Sequence, residues 1–242
     1  MKTTKLIAIL ASVAIGSLLA HAQGTFINLD FESADLSPVP PNQGGVQVPV
    51  GSALPGWTAY IGTDQQSQVT QNDYGHGLAQ IDVFGPNYPA AGWPPDTYNP
   101  GVIDGNYSVL VQSGFLSDGI TPENVSIAQT GTVPIGYQSL EFKAWPTFAN
   151  EFSVSFNGNN LSPVMLGTGP NYILYGVDIS PYAGQTGQLE FTADFVTPGA
   201  SWLGLDDIAF SPSAVPEPSP LVLTGIGGLL IGLYRRFARG RR

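Results

Sequence analysis

Two pairs of carboxylates are the side chains of this sequence best suited to acid–base chemistry. One pair is Asp206 with its neighbour Asp207, and the other is Asp82 with Asp104. Hydrolysis of a glycosidic bond uses two carboxyl groups at a defined separation, which a sequence does not supply. His76 is a candidate general base, although a lone loop histidine is more often an ordinary polar residue. Because the sequence has no Gly-x-Ser-x-Gly elbow, phosphate-binding loop or His-Glu-x-x-His motif, hydrolysis is the alternative and not the leading prediction.

Aromatic residues are the second group with a possible chemistry, because flat rings stack on the faces of sugars. Three of them lie within eleven residues of one another in a segment, residues 85–101, that also holds five prolines: Tyr88, Trp93 and Tyr98. A segment of this length without periodicity is typical of a functional loop or of a disordered one. We therefore predict that these three rings bind carbohydrate. Trp57 and Trp202 lie in strand-like patterns instead, and we expect them in the core.

The charge of residues 23–214 limits the possible partners. This part of the chain has one basic residue, Lys143, and 17 acidic residues, a net charge of −16. Binding to nucleic acid needs Lys and Arg to neutralise phosphates, so a nucleic-acid partner is excluded. The charge suits Ca²⁺, which takes carboxylate and carbonyl oxygens. The chain has no cysteine and one histidine after residue 22, which excludes a zinc site built from those residue types.

Short segments of alternating hydrophobicity, separated by Gly- and Pro-rich turns, indicate an all-β protein. The pattern predicts strands at residues 26–32, 56–61, 79–84, 107–112, 125–129, 138–145, 152–156, 161–166, 173–179, 189–195 and 202–210, with loops at 36–55 and 85–101. Asn157-Gly158 predicts a hairpin turn. Because no segment between residues 23 and 212 has a sustained helical period, we predict one domain there, a single β-sandwich or jelly roll.

Two motifs at the ends of this domain carry a family resemblance. Asn28-Leu-Asp-Phe-Glu32 is followed by Gly56-Trp57, and Leu-Asp206-Asp207-Ile lies near the end of the domain. Together they resemble the galactose-binding-like jelly roll of many carbohydrate-binding modules. The resemblance implies a structural Ca²⁺ where the first and last strands meet. Its ligands would be Glu32, the backbone at Asp30, and Asp207, with Asp206 nearby.

The N-terminus has the order of a secretory signal peptide. Lys2 and Lys5 precede an apolar stretch at residues 6–19, and Ala20-His-Ala22 is a small-x-small cleavage site. We therefore predict that residues 1–22 are a signal peptide and that the domain lies outside the cytoplasm.

The C-terminus combines a proline-rich motif, an apolar segment and a basic end. Pro216-Glu217-Pro218 precedes an uncharged stretch at residues 221–234, and five arginines lie in the last eight residues. Residues 213–242 resemble the PEP-CTERM sorting signal of bacteria that make extracellular polymer. Residues 221–238 are long enough to be a membrane anchor helix if the arginines at 235 and 236 extend to the headgroups. The resemblance implies an exosortase-type processing enzyme as partner, with the sorting motif formed by Pro216, Glu217 and Pro218.

These observations predict a non-enzymatic protein of the cell surface or extracellular matrix. It would be anchored transiently in the inner membrane and would bind polysaccharide through loops of a calcium-stabilised β-sandwich. A secreted polysaccharide hydrolase and a purely structural matrix component are the alternatives.

Overall fold

The computed structural model describes residues 24–37, 45–73, 77–86, 88, 101–146, 151–196 and 199–216. The strands, in chain order, are β1 Val46–Pro49, β2 Thr58–Ile61, β3 Asp64–Gln66, β4 Gln68–Gln71, β5 Gln80–Phe84, β6 Ser108–Gln112, β7 Gly114–Phe115, β8 Pro122–Glu123, β9 Val125–Thr132, β10 Ser139–Pro146, β11 Phe152–Phe156, β12 Asn159–Leu161, β13 Val164–Thr168, β14 Ile173–Asp178, β15 Thr186–Ala193 and β16 Trp202–Ser211. One helical turn, α1 Val50–Ala53, follows β1, and a 3₁₀ turn covers Ser180–Tyr182.

Two sheets form a sandwich. The larger sheet has the order β1-β4-β5-β6-β16-β10-β14-β13, and the smaller has the order β12-β11-β15-β9-β2-β3. Strands β7 and β8 form a separate small hairpin. Neighbouring strands are antiparallel throughout the described ranges except β4 and β5, which are parallel. The all-β sandwich predicted from the sequence is confirmed.

The core lies between the two sheets and is built by alternation along the strands. In β11 the side chains of Phe152, Val154 and Phe156 are buried and those between them are half-buried. Successive side chains of a strand point to opposite faces, so this pattern places one face of the strand in the core. Phe142 of the larger sheet meets Phe191 of the smaller edge-on, with ring centroids 5.1 Å apart. Packing of aromatic side chains from both inner faces therefore joins the sheets.

The hairpin predicted at Asn157-Gly158 is confirmed as the turn between β11 and β12. Both residues have positive φ, 50° and 73°. Two successive residues in this conformation make the tight turn whose twist matches that of the flanking strands, and Asn-Gly is the sequence that best adopts it.

The first predicted strand is wrong, because residues 26–32 form irregular turns. Asn28 and Phe31 have φ of 51° and 57°, which no strand accommodates. Phe26, Leu29 and Phe31 are buried without strict alternation, so they fill the end of the sandwich as separate side chains. The indole N–H of Trp57 donates to the Asn28 carbonyl at 3.0 Å, and this buried hydrogen bond holds residues 26–32 in place. Trp57 is 4% exposed, as expected of a core residue.

The loop predicted at residues 36–55 is also wrong in part, because it contains β1 and α1. Strand β1 is exposed along most of its length, so it lacks the alternation that reveals a strand in a sequence. It is held by pairing with β4, where Gln47 lies opposite Thr70 and Val48 opposite Val69.

The signal peptide predicted at residues 1–22 and the anchor helix predicted at 221–238 lie outside the described residues. Among the helices that the structure describes, none is long and apolar enough to cross a membrane.

Candidate functional site

The four residues predicted to hold calcium lie together. Asp30, Glu32, Asp206 and Asp207 line one cavity of about 180 Å³, and Asp104 and Gly105 complete its wall. The turn segment meets the last strand here, since the Ile208 amide donates to the Leu29 carbonyl at 2.9 Å. We call the five carboxylates, including Asp104, the acidic cluster.

Glu32 fixes the turn that precedes β6. Its Oε1 accepts the amide N–H groups of Asn106 at 2.6 Å and Tyr107 at 2.9 Å, and its Oε2 accepts the Asn106 side-chain amide at 2.8 Å. Gly105 has φ of 58°, and a Cβ there would lie 2.3 Å from Glu32 Oε1. Glycine is therefore required at this position both for its conformation and for the close approach of the carboxylate.

Asp206 is the buried member of the acidic cluster, at 1% exposure. Its Oδ2 accepts the Ser108 hydroxyl at 2.6 Å and the Asp104 amide at 3.0 Å, and its Oδ1 accepts the Asp207 amide at 2.7 Å. Burial raises the pKa of Asp206 to about 7, and these hydrogen bonds only partly oppose that rise. Near neutral pH the side chain therefore exchanges between carboxylate and carboxylic acid.

Lys143 is the residue of this site that the sequence did not reveal. Its Nζ forms an ion pair with Asp207 Oδ2 at 2.9 Å and a second ion pair with Asp104, and it lies 5.2 Å from the centre of the Tyr172 ring. Burial alone would lower the pKa of Lys143, but the hydrogen bonds to Asp104 and Asp207 outweigh it and raise that pKa above its usual value. The one signal in the sequence was that this is the sole basic residue of an acidic domain.

The acidic cluster in this arrangement does not fit a calcium ion. Both oxygens of Glu32 and of Asp206 already accept hydrogen bonds from the protein, and the Lys143 ammonium lies between Asp104 and Asp207. In the described ranges no three His, Asp or Glu side chains are placed to hold a metal ion together. Calcium therefore stays a prediction from the sequence, and one that requires Lys143 to withdraw.

Replacing Lys143 tests whether the Lys143 ammonium or a calcium ion balances the charge of the acidic cluster. We expect the Tm of the full-length chain to be the same with excess calcium and with chelator, because the Lys143 ammonium already lies between Asp104 and Asp207, where calcium would have to bind. In Lys143→Met the carboxylates face one another without a counter-ion, so calcium should raise the Tm. At a hundred times its Kd, calcium would add about 2.7 kcal/mol. Lys143→Arg, which keeps the charge, is the control. A calcium response of that size in the wild type would contradict this expectation and support the sequence-based calcium site.

Tyr88 is the member of the predicted carbohydrate-binding set that the structure describes. Its ring lies parallel on the buried Phe84 ring, with centroids 4.2 Å apart and an interplanar angle of 10°. The Tyr88 amide donates to the Gly85 carbonyl at 3.0 Å, and the Gly85 amide donates to Asn72 Oδ1 at 2.8 Å. These contacts fix the start of the 85–101 loop. Trp93 and Tyr98 lie outside the described residues.

The acidic cluster fixes the other end of the same loop. The Ile103 amide donates to the Ser108 hydroxyl at 2.8 Å, and that hydroxyl donates in turn to Asp206. The Asn171 side chain donates to the Val102 carbonyl at 3.1 Å. The cluster therefore holds residues 102–107 in place, so its carboxylates have a structural use that the sequence did not indicate.

The members of each carboxylate pair considered for hydrolysis have different partners in the structure. Asp82 is 0% exposed and accepts the Asp73 amide, whereas Asp104 is bound to Lys143. Asp206 faces Ser108, while its neighbour Asp207 has φ of 45° and faces Lys143 instead. His76 lies outside the described residues.

Pro216 is the described member of the predicted sorting motif, and it is exposed. The segment leading to it leaves the end of β16 along β10, since Gln138 donates to the Pro212 carbonyl at 2.8 Å and Ser139 to the Ser213 carbonyl at 2.7 Å. Glu217 and Pro218 lie outside the described residues.

Comparison with known proteins gives distant likenesses of structure. No protein-family model matches the sequence, and no curated protein matches it. The enzymatically active domain of the bacteriophage CBA120 tailspike protein 4 shares 13% identity over 65% of this chain and 19% of that chain, with a TM-score of 0.34. TmCBM61, solved in complex with beta-1,4-galactotriose, shares 14% identity over 78% of this chain and 97% of that chain, with a TM-score of 0.31. At this level of similarity neither assigns a function.

Proposed function

We propose that this chain is an exported, non-enzymatic protein of the cell surface or extracellular matrix that binds polysaccharide. The observation that carries the proposal is the Tyr88 ring, which lies flat on the buried Phe84 at the base of the 85–101 loop. A ring held in this way loses little conformational freedom when a sugar binds beside it, and such preorganisation favours binding. Trp93 and Tyr98 would extend this stacking surface.

The contacts of the acidic side chains support binding over hydrolysis. Glu32 accepts the backbone amides of residues 106 and 107, and Asp104 pairs with Lys143. A carboxylate committed to such contacts is poorly placed to exchange protons with a substrate. Hydrolysis of the polymer remains the alternative function, and turnover is the measurement that distinguishes the two.

The charge of the domain supports an uncharged ligand. With a net charge of −16 over residues 23–214, an anionic polymer would be repelled as it approached. Neutral sugars avoid that repulsion and interact with the protein through hydroxyl groups and ring faces.

In this proposal the two termini determine where the protein is located. The signal peptide would export the chain, and residues 221–238 would hold it in the inner membrane until an exosortase-type enzyme recognised Pro216-Glu217-Pro218. The exposure of Pro216, the first residue of the motif, supports this.

A glycan array with the full-length chain, run beside a hydrolysis assay on the same polymers, tests the proposal. We expect binding without turnover. Tyr88→Ala and Trp93→Ala should each weaken binding by at least about 1 kcal/mol, the scale of one lost stacking contact. The Tm of Trp93→Ala should stay near that of the wild type.

Tyr60→Ala is the matched control, since Tyr60 is a half-buried tyrosine on β2, outside the loop. If the wild type hydrolysed a polymer and replacement of an acidic pair abolished that turnover, the hydrolase alternative would be favoured. If the chain bound no polymer, a purely structural role in the matrix would be the remaining explanation.

A further inference from the structure

A second cavity, of about 320 Å³, opens at the end of β5 opposite Tyr88. One wall is formed by β1 and β4 of the larger sheet, another by β2 and β3 of the smaller sheet, and the rim by β7 and the turn after it. Its volume falls in the range of about 300–1,000 Å³ that is typical of small-molecule sites. The cavity is therefore large enough to hold part of a ligand, and it is separate from the acidic cluster.

Side-chain amides dominate the chemistry of this cavity. Four glutamines reach it from four different strands: Gln47, Gln66, Gln68 and Gln80. Thr70 and Ser117 add hydroxyl groups. None of the described residues that line the cavity carries a charge, although acidic residues outnumber basic ones 17 to one in the domain. We call this cavity the glutamine groove.

Several amides of the groove are held in position. Gln47 donates to the Thr70 hydroxyl at 3.1 Å, Gln66 to the Asp64 carbonyl at 2.8 Å and Gln80 to Asp82 Oδ2 at 3.3 Å. An amide nitrogen has two N–H donors and its oxygen accepts two bonds, so these contacts orient each group without exhausting it. Oriented groups that both donate and accept are suited to a ligand rich in hydroxyls, which also do both.

An apolar edge accompanies the amides. Leu78 is 44% exposed at the rim, beside Phe115. The Phe115 ring is fixed edge-on against Phe195 with centroids 5.3 Å apart, and its carbonyl accepts the Ala79 amide at 2.9 Å. The C–H faces of a sugar ring would cover this apolar surface, and removing it from water is favourable.

We propose that the glutamine groove is a second carbohydrate-binding site, for a stretch of neutral polysaccharide. This inference rests on the proposed function and adds a second site, outside the 85–101 loop. None of the described residues that line the groove is a cation that could pair with a carboxylate or sulfate, so they give an anionic polymer nothing to offset repulsion by the acidic domain.

The two sites lie at opposite ends of the five-residue strand β5, which spans about 13 Å at the usual rise per residue. One polysaccharide chain or two neighbouring chains would then engage both sites. Binding at one site raises the effective concentration at the other, so a polymer binds more tightly than a short oligosaccharide does.

The test compares Gln66→Ala/Gln68→Ala with Gln65→Ala/Gln188→Ala in the full-length chain, purified in mild detergent. The control pair removes two exposed glutamines outside the groove, one of them adjacent to Gln66 on β3. The probes are galactan, a soluble β-glucan and, as the anionic polymer, polygalacturonate, each in affinity gel electrophoresis. We expect at least one neutral polymer to retard the wild type and polygalacturonate not to do so. The groove variant should bind about tenfold more weakly, a change of about 1.4 kcal/mol, while the control and all Tm values stay unchanged.

Each of three other outcomes would overturn the groove, the ligand class or the proposed function. A groove variant that binds as well as the wild type, while Trp93→Ala loses binding, overturns the groove and leaves the proposed function intact. Retardation by polygalacturonate equal to that by a neutral polymer overturns the ligand class. A wild type that none of the three polymers retards overturns the groove and the proposed function together.

Discussion

Replacing Glu217 with alanine should leave the protein at its full length in the membrane fraction, whereas the wild type should lose its C-terminal tail. The reason is that Glu217 is the one charged residue of the Pro-Glu-Pro motif that a processing enzyme would recognise. Without that recognition the apolar stretch at 221–234 stays attached to the domain and holds it in the bilayer. Intact mass measured on each cell fraction is the readout, and the expected effect is all or none.

Asp64→Ala is a suitable control for this experiment, because Asp64 is an exposed acidic residue on the edge strand β3. It should be processed as the wild type is. If wild type and Glu217→Ala give the same full-length mass in the same fraction, the sorting proposal is wrong.

The second large effect concerns the dependence of stability on pH. Asp82 is fully buried on β5, and burial raises its pKa well above the usual value, against a hydrogen bond from the Asp73 amide that lowers it. The folded protein therefore keeps the proton at pH values where the unfolded chain has released it. Under that condition the free energy of unfolding falls as pH rises above about 4, until the folded-state pKa is reached.

Asp82→Asn removes this dependence, because the amide is neutral and has the same shape. We expect the variant to match the wild type near pH 4 and to exceed its free energy of unfolding at pH 8, by a margin that grows with pH up to the folded-state pKa of Asp82. Denaturant unfolding at both pH values is the measurement. Asp206, with its raised pKa, titrates in both proteins, so its contribution cancels in the difference.

Asp64→Asn, at an exposed position, should change neither value by more than a few tenths of a kcal/mol. A variant that is less stable than the wild type at pH 8 would show that Asp82 is ionised and paired in the folded protein.

The sequence predicted well those parts of the fold in which local pattern and tertiary environment agree. Strands β11 and β15 each have one face in the core, so their buried residues alternate with others. The hairpin at Asn157-Gly158 depends only on the conformations that these two residues adopt. No distant contact is needed to predict either feature.

The remaining features depend on contacts between distant parts of the chain. Residues 26–32 read as a strand because Phe26, Leu29 and Phe31 are apolar, but their burial comes from Trp57 and β16. Lys143 is 39 residues from Asp104 in the sequence, and only the pairing of β10 with β16 brings it to the cluster. The glutamine groove arises from strand register in the same way: Gln47 lies opposite Thr70 only because β1 pairs with β4.

The position of β16 has a consequence for the order of folding if the chain is exported as proposed. This last strand lies between β6 and β10, in the interior of the larger sheet, and not at its edge. Until residues 202–211 arrive, β6 and β10 have no common neighbour and the two halves of the sheet stay unjoined. In a chain that crossed the membrane N-terminus first, the larger sheet would thus stay incomplete until nearly the whole domain had crossed. Closure of the sheet would then immediately precede entry of the apolar tail into the bilayer, so that folding and anchoring occur in sequence.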